Sequence, residues 1–252
     1  MGATILIFFI AVVCEFIDSS LGMMYGTILS PVLILAGYNP KLVVPAILIS
    51  QAVGGAVASW RHHSLKNAHI FDKDSEDFKV TLLIASLGVV ATLVGAFLGA
   101  SIIPSTWLKN YIGILCVVMG ASILLKISFQ FTWGKMVILG IVSAFNKAIS
   151  GGGYGPLMSS GQIVIGRESK NSIVVTDFAE VPICLFSFAM WVWINKWPSS
   201  PLIYILPVGA AIGGYLGPIL LKKNKSKKRI AQIVGALAFI LGVAVLTLGV
   251  KS

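Results

Sequence analysis

The chain has 252 residues, of which 57% are hydrophobic and only 11% charged. That excludes an ordinary soluble domain, in which about a quarter of residues are charged, and it excludes disorder. Nineteen Lys and Arg stand against nine Asp and Glu; in a soluble protein this excess would point to nucleic acid, but in so apolar a chain it reads as a membrane-orientation signal, and no nucleic-acid partner is expected.

In chain order the apolar runs occupy 3–37, 42–60, 78–103, 107–125, 133–165, 172–194, 201–221 and 230–250. A membrane-spanning helix needs about 20 apolar residues, so six of these runs fit one crossing each. The runs 3–37 and 133–165 are too long for one. The first is interrupted at Asp18-Ser19-Ser20-Leu21-Gly22 and the second at Asn146-Lys147-Ala148-Ile149-Ser150-Gly151-Gly152-Gly153. Each reads as two short half-helices joined at membrane depth. No Lys or Arg precedes Lys41, so the first run lacks the basic start of a signal peptide and is expected to stay in the mature protein. The six tryptophans, Trp60, Trp107, Trp133, Trp191, Trp193 and Trp197, fall near run ends, as interfacial anchors do.

The chain repeats itself. Laying Tyr25-Gly26 on Tyr154-Gly155, an offset of 129 residues, also pairs Phe16 with Phe145, Gly22 with Gly151, Ser30 with Ser159, Gly37 with Gly166 and Lys41 with Lys170. Farther along, Gly95 and Gly99 match Gly213 and Gly217, and Gly113 and Gly120 match Gly235 and Gly242 at an offset of 122. Two repeats are expected within one membrane domain, 1–126 and 127–252, each a broken hairpin followed by three spans.

Charge decides between the two ways of threading the hairpins. If each crossed once, the bases outside the membrane would divide eight against ten. If each returns to its starting side, Arg61, Lys66, Lys73, Lys79, Lys126, Lys135, Arg167, Lys170 and the cluster Lys222, Lys223, Lys225, Lys227, Lys228 and Arg229 share one face, fourteen against four, with Lys147 alone inside the membrane. The positive-inside rule selects the second: a multi-pass protein of the cell inner (cytoplasmic) membrane, loops 61–77 and 222–229 cytoplasmic, both termini outside. An odd number of passages per repeat makes the halves inverted, the design of secondary transporters. The expected fold is all-α and polytopic. The GxxxG-like pairs are read as packing contacts, and the basic turn as a topology determinant in contact with membrane lipid.

The segment 150–156, Ser-Gly-Gly-Gly-Tyr-Gly-Pro, with Gly140 before it and Gly166 after it, resembles the glycine-rich signature of the sulfite exporter TauE/SafE family of membrane transporters. The duplicated glycine-rich hairpins and the chain length fit that family over essentially the whole sequence. In the first half, Gly22-Met23-Met24-Tyr25-Gly26 stands where the family usually has a second triple glycine. The resemblance implies export, or less often uptake, of small sulfur-containing anions such as sulfite or organosulfonates.

The residues themselves suit an anion. A half-helix that begins at membrane depth directs free N–H groups and a positive dipole end inward. Candidate binding residues are Ser19, Ser20, Gly22, Tyr25, Gly26, Asn146, Lys147, Ser150, Gly151, Gly152, Gly153, Tyr154 and Gly155, between the tips near the midplane. Lys147 is either a countercharge to the substrate or one half of an internal ion pair. Glu15, Asp18, Asp177 and Glu180 lie at membrane depth, where ionisable groups carry function by default, and are candidates for proton coupling. The register places Asp18 opposite Lys147 and Gln51 opposite Glu180. Asp72, Asp74, Glu76, Asp77 and Glu168 read as solvated loop acids, and His62, His63 and His69 as a solvated loop cluster. Cys14, Cys116 and Cys184 read as small core residues. No catalytic residue, metal or cofactor is expected, and an enzyme is disfavoured for want of a nucleophile with a base at usable spacing. A transporter leads, an anion channel on the same hairpins is the alternative, and a homodimer is left open.

Overall fold

The computed structural model describes residues 2–22, 24–68, 70–125, 132–164, 167, 169–221 and 227–248. Its regular elements are helical: α1 (Gly2–Leu21), α2 (Tyr25–Leu35), α3 (Pro40–Ser64), α4 (Glu76–Phe97, closed by a π-helical turn over Leu98–Ile102), α5 (Ser105–Leu124), α6 (Trp133–Ser150), α7 (Tyr154–Val164), α8 (Ser169–Asn195), α9 (Leu202–Leu221) and α10 (Lys227–Leu248). Among the described residues, seven spans are long and apolar enough to cross a membrane: the six expected single crossings, and Thr4–Leu21 of α1. Burial is inverted relative to a soluble protein. Val90, Val94, Ile138, Val208 and Ile240 face outward, while Glu15, Asp18, Lys147, Asp177 and Glu180 are buried. The protein is an all-α polytopic membrane protein.

The elements begin where their caps allow. Asn39 accepts the Lys41 N–H in front of Pro40, Ser75 accepts the Phe78 N–H before α4, and Thr132 accepts the Lys135 N–H before α6. Both long runs break, but not into equal halves. α1 and α6 have 20 and 18 residues, while α2 and α7 have 11 each. The polar stretches at 18–21 and 146–150 stay helical, and within them Ser19, Ser20 and Ser150 satisfy their hydroxyls on the carbonyls of Glu15, Phe16 and Asn146, four residues back. The breaks come at the glycines: Gly22 and Gly151 take φ of 70° and 74°, a left-handed conformation that ends a helix at little cost only for Gly.

Glycine contacts order the bundle. α1 runs alongside α9 in the same direction, with Gly209 against Phe8 and Ala11, Gly213 against Val12 and Phe16, and Gly217 against Phe16 and Ser19. α6 runs alongside α4 in the same way, with Gly88 against Ala144, Gly95 against Phe145 and Ala148, and Gly99 against Ile149. α5 packs on α10 through Gly113 on Gly242 and Gly120 on Gly235. The matched glycines thus serve close helix packing, as their spacing suggests. α3 crosses between α8 and α9, and α8 lies between α3 and α4.

Polar contacts define the two ends of the bundle. At one, Ser105 bonds Asn39 at 3.2 Å, and Lys41 and Asn195 both donate to Ala100 O. At the other, Arg167 pairs with Glu76 at 2.6 Å and Asp77 at 2.5 Å, Asn67 donates to Pro218 O, and Arg61 lies over the Tyr215 ring. Because α9 runs from the first end to the second and α4 from the second to the first, the hairpins α1–α2 and α6–α7 enter from opposite ends.

Three expectations change. Trp191 is buried rather than interfacial, whereas Trp60, Trp107, Trp193 and Trp197 are exposed; the Trp133 side chain is outside the described set. Asp77 is not a solvated loop acid: it sits in the first turn of α4, buried beneath Arg167 and Asn171. His62 is not in a loop, because α3 continues to Ser64 and turns this one ring inward. All three cysteines are free and buried. Lys126, Gly166, Glu168, His69 and residues 222–226 lie outside the described residues, as do the side chains of Lys227, Lys228 and Arg229.

Candidate functional site

The two hairpin tips meet inside the bundle. A Cβ on Gly26 would collide with the Gly151 carbonyl, and one on Gly152 would lie 2.8 Å from Gly26 O. Only glycine lets the two backbones approach so closely. The contact is reciprocal: Ser30 Oγ donates to Ser150 O at 3.1 Å, and Ser159 Oγ donates to Gly22 O at 3.1 Å. Ser30 and Ser159 occupy matching positions in the repeat, and each holds the tip of the other hairpin. Met24 stands where the second tip has Gly153, and it adopts a φ of 149°, against 83° for Gly153. Both values are positive, but they differ by 66°, so the two tips do not share one turn geometry at this position.

Beside the tips the buried charges assemble. Lys147 Nζ donates to Gln51 Oε1 and meets Glu180 Oε1 at 2.6 Å, while Gln51 Nε2 donates to Asp18 Oδ2 at 3.2 Å. Gln51 lies at the middle of α3 and Glu180 near the middle of α8, so this network sits at the centre of the bundle. Asp18 also faces the backbone N–H of Tyr25, the first residue of α2, so a carboxyl of the chain itself meets the positive end of that helix. The contacts Asp18–Gln51 and Lys147–Glu180 are equivalent under the 129-residue offset. Of the two roles open to Lys147, the internal ion pair is the one formed in this structure.

The remaining acids take different surroundings. Glu15 is buried against the bare backbone of Gly54, and its Oε2 has no hydrogen-bond partner among the described residues. Asp177 Oδ2 is 3.6 Å from His62 Nε2 and also lacks a hydrogen bond. The His62 ring is fully buried between Ser19 O, 3.0 Å from Nε2, and Asn67 Nδ2, 2.9 Å from Nδ1. With the amide donating to Nδ1, the ring proton belongs on Nε2. Polar neighbours hide His62 in the sequence, but the repeat register does single it out. It matches Trp191, whose Nε1 donates to Ala148 O at 2.9 Å, and Ala148 matches Ser19. One ring N–H thus latches the last turn of α1 and another the last turn of α6.

The hydroxyls assigned to the site are mostly engaged by the chain. Ser19 and Ser20 bond carbonyls, Ser20 also reaching Gly217 O at 2.9 Å. Ser150 is shared between Asn146 O and Gly152 O and accepts the Gly152 N–H. Tyr25 Oη reaches Leu206 O at 3.5 Å, and Tyr111 donates to Asn146 Oδ1. Tyr154 is fully buried, yet its hydroxyl has no partner among the described residues. Gly153 packs against Leu115, and Gly155, beside Tyr154, is half-buried. Such an arrangement offers backbone amides, one spare hydroxyl and one ammonium to an anion, and four carboxyl groups to protons.

Comparison with known proteins agrees with this architecture. The sulfite exporter TauE/SafE family profile matches residues 7–245. A probable membrane transporter protein of Bacillus subtilis (strain 168), YtnM, is 26% identical over 242 residues, covering 88% of this chain and 76% of the relative. No solved structure matches. A polytopic chain with glycine-broken hairpins and a family match over nearly its whole length is a membrane transporter, not an enzyme, and it belongs to the sulfite exporter TauE/SafE family.

Proposed function

We propose that this transporter carries small sulfur-containing anions, sulfite or an organosulfonate, outward across the cytoplasmic membrane by alternating access, with a proton as the coupling ion. The observation that carries the reading is the meeting of two tips, from hairpins that enter from opposite ends, beside a buried base bracketed by carboxyl groups. Such a junction can expose the same residues to either side when one hairpin rocks against the other. The equivalent contacts of Ser30 with Ser159, and of Asp18–Gln51 with Lys147–Glu180, support inverted repeats over 1–126 and 127–252.

In this cycle the substrate binds between residues 22–26 and 151–155 when the Lys147–Glu180 pair opens, and the ammonium then faces the anion in place of Glu180. Of Asp177 and Glu180, Asp177 is the better placed proton carrier, since Glu180 is paired with Lys147 whereas Asp177 lies 3.6 Å from His62. The end bearing Arg61 and Arg167 faces the cytoplasm, where the positive-inside bias puts loops 61–77 and 222–229, and both termini lie outside.

Reconstitution with sulfite, thiosulfate, sulfoacetate, taurine and sulfate under imposed pH or sodium gradients tests the reading. Accumulation of one of them against its own gradient, driven by pH, is expected. Transport of none of them, or of a cation, overturns the substrate class; conductance without accumulation against a gradient identifies an anion channel. Asp177→Asn should uncouple transport from pH, and unchanged pH-driven uptake in that variant would sink the proton assignment.

A further inference from the structure

At the end of the bundle away from loop 61–77, a cavity of about 280 Å³ opens between the first turns of α3 and the last turn of α8. Asn39, Lys41, Pro45, Trp191, Asn195 and Lys196 line it. None of these residues belongs to the hairpin site. The volume is at the small end for ligand pockets, and the wall is unusual in its charge. Two ammonium groups share it, yet no Asp or Glu occurs anywhere in this part of the chain. The eight acids among the described residues fall at 15–18, 72–77 and 177–180, near the centre of the bundle or toward its opposite end.

The wall is also held in place. Lys41 Nζ and Asn195 Nδ2 converge on a single acceptor, Ala100 O, at 3.3 Å and 3.2 Å. An ammonium has three donors, so this one bond leaves Lys41 able to bind a second partner. Lys196 leaves the end of α8 with a φ of 65°, a left-handed turn that a lysine rarely adopts. Trp191 closes the inner side, and its indole N–H is bonded to Ala148 O, in the last turn of α6 before the second tip. What occupies the cavity therefore touches the side chain that latches the second hairpin.

We propose that this cavity is an oxyanion-binding site at the mouth of the transporter, separate from the hairpin tips, with Lys41 and Lys196 supplying the charge. The ligand class follows from two lysines with no carboxylate beside them among the described residues, not from the family. A free sulfur oxyanion and the phosphate of a lipid headgroup share the chemistry, and the experiment separates them.

Purified protein in non-ionic detergent is titrated calorimetrically with sodium thiosulfate and with sodium sulfate. The titration is repeated in nanodiscs of phosphatidylcholine alone and of phosphatidylcholine with phosphatidylglycerol. The expected result is saturable binding, weakened about tenfold by Lys41→Gln and again by Lys196→Gln, restored by Lys→Arg at each position, and weakened by added chloride. Equal thermal unfolding midpoints show that the variants are folded. Binding suppressed only by phosphatidylglycerol, in a lysine-dependent way, supports the site with lipid phosphate as its natural occupant. Undiminished anion binding in the folded double glutamine variant overturns the proposal. Lysine-dependent binding by a protein that transports no sulfur anion leaves this site standing and removes the transport reading. Transport with lysine-independent binding does the reverse.

Discussion

Lys147 concentrates the energetics of the centre. It is buried, it meets Glu180 at 2.6 Å, and Gln51 ties it to Asp18. Removing one partner of a buried pair strands the other charge, at a cost of roughly 3–5 kcal/mol. Lys147→Met should therefore lower the thermal unfolding midpoint sharply, and Lys147→Met with Glu180→Leu should recover most of that loss; a double variant as unstable as the single one would contradict the pairing. His62 and Trp191 give a second comparison. Each donates a ring N–H to a carbonyl in the last turn of a hairpin's long arm. His62→Phe and Trp191→Phe should each cost about 1–3 kcal/mol in denaturant unfolding, because a buried carbonyl loses its donor. Residue types and depth were legible here: four acids and one base inside apolar runs, with the repeat register pairing Asp18 to Lys147 and Gln51 to Glu180. His62 was obscured because Arg61, His63, Ser64 and Lys66 around it mimic a loop.

For the elements, the glycine breaks matter more than the helices they separate. Gly26 sits on the Gly151 carbonyl, and that backbone has no flexible end to move aside. Gly26→Ala is expected to abolish transport in proteoliposomes while the protein still inserts. Gly134→Ala, in the first turn of α6 with nothing near its Cβ, should be neutral or stabilising by up to about 1 kcal/mol. Equal loss from both substitutions would mean that the tip contact is not special. The sites of the breaks follow from composition, since glycine alone takes φ near 70° cheaply. The unequal arms do not: α1 and α6 run on through serines that look like breakers, whose hydroxyls are satisfied on carbonyls of the same helix.

Over the whole molecule, charge and topology are one problem. Arg61, over Tyr215, and Arg167, paired with Glu76 and Asp77, lie at one end and belong to the group of fourteen bases assigned to the cytoplasm; Lys41 and Lys196 at the other end belong to the group of four. Single cysteines at 73 and 196 test the orientation, in a background with Cys14, Cys116 and Cys184 changed to Ala. In intact cells an impermeant maleimide should label position 196 and reach position 73 only after permeabilisation. The opposite pattern would invert the molecule.

Several properties were legible in the sequence alone: an all-α polytopic membrane protein, two long apolar runs broken at glycine, and matched residues at an offset of 129. Each is a property of a segment, set by the apolar length that spans hydrocarbon and by the conformations a residue can adopt. Tertiary structure decided which groups meet across segments. It gave Lys147 to Glu180 rather than to Asp18, turned His62 inward to Asp177, buried Trp191 over Ala148, and left two lysines around one cavity with no acid near them among the described residues. The physical reason is that a buried charge is satisfied by whatever packing brings within about 3 Å, and α3, α8 and α9 approach one another only in the folded bundle.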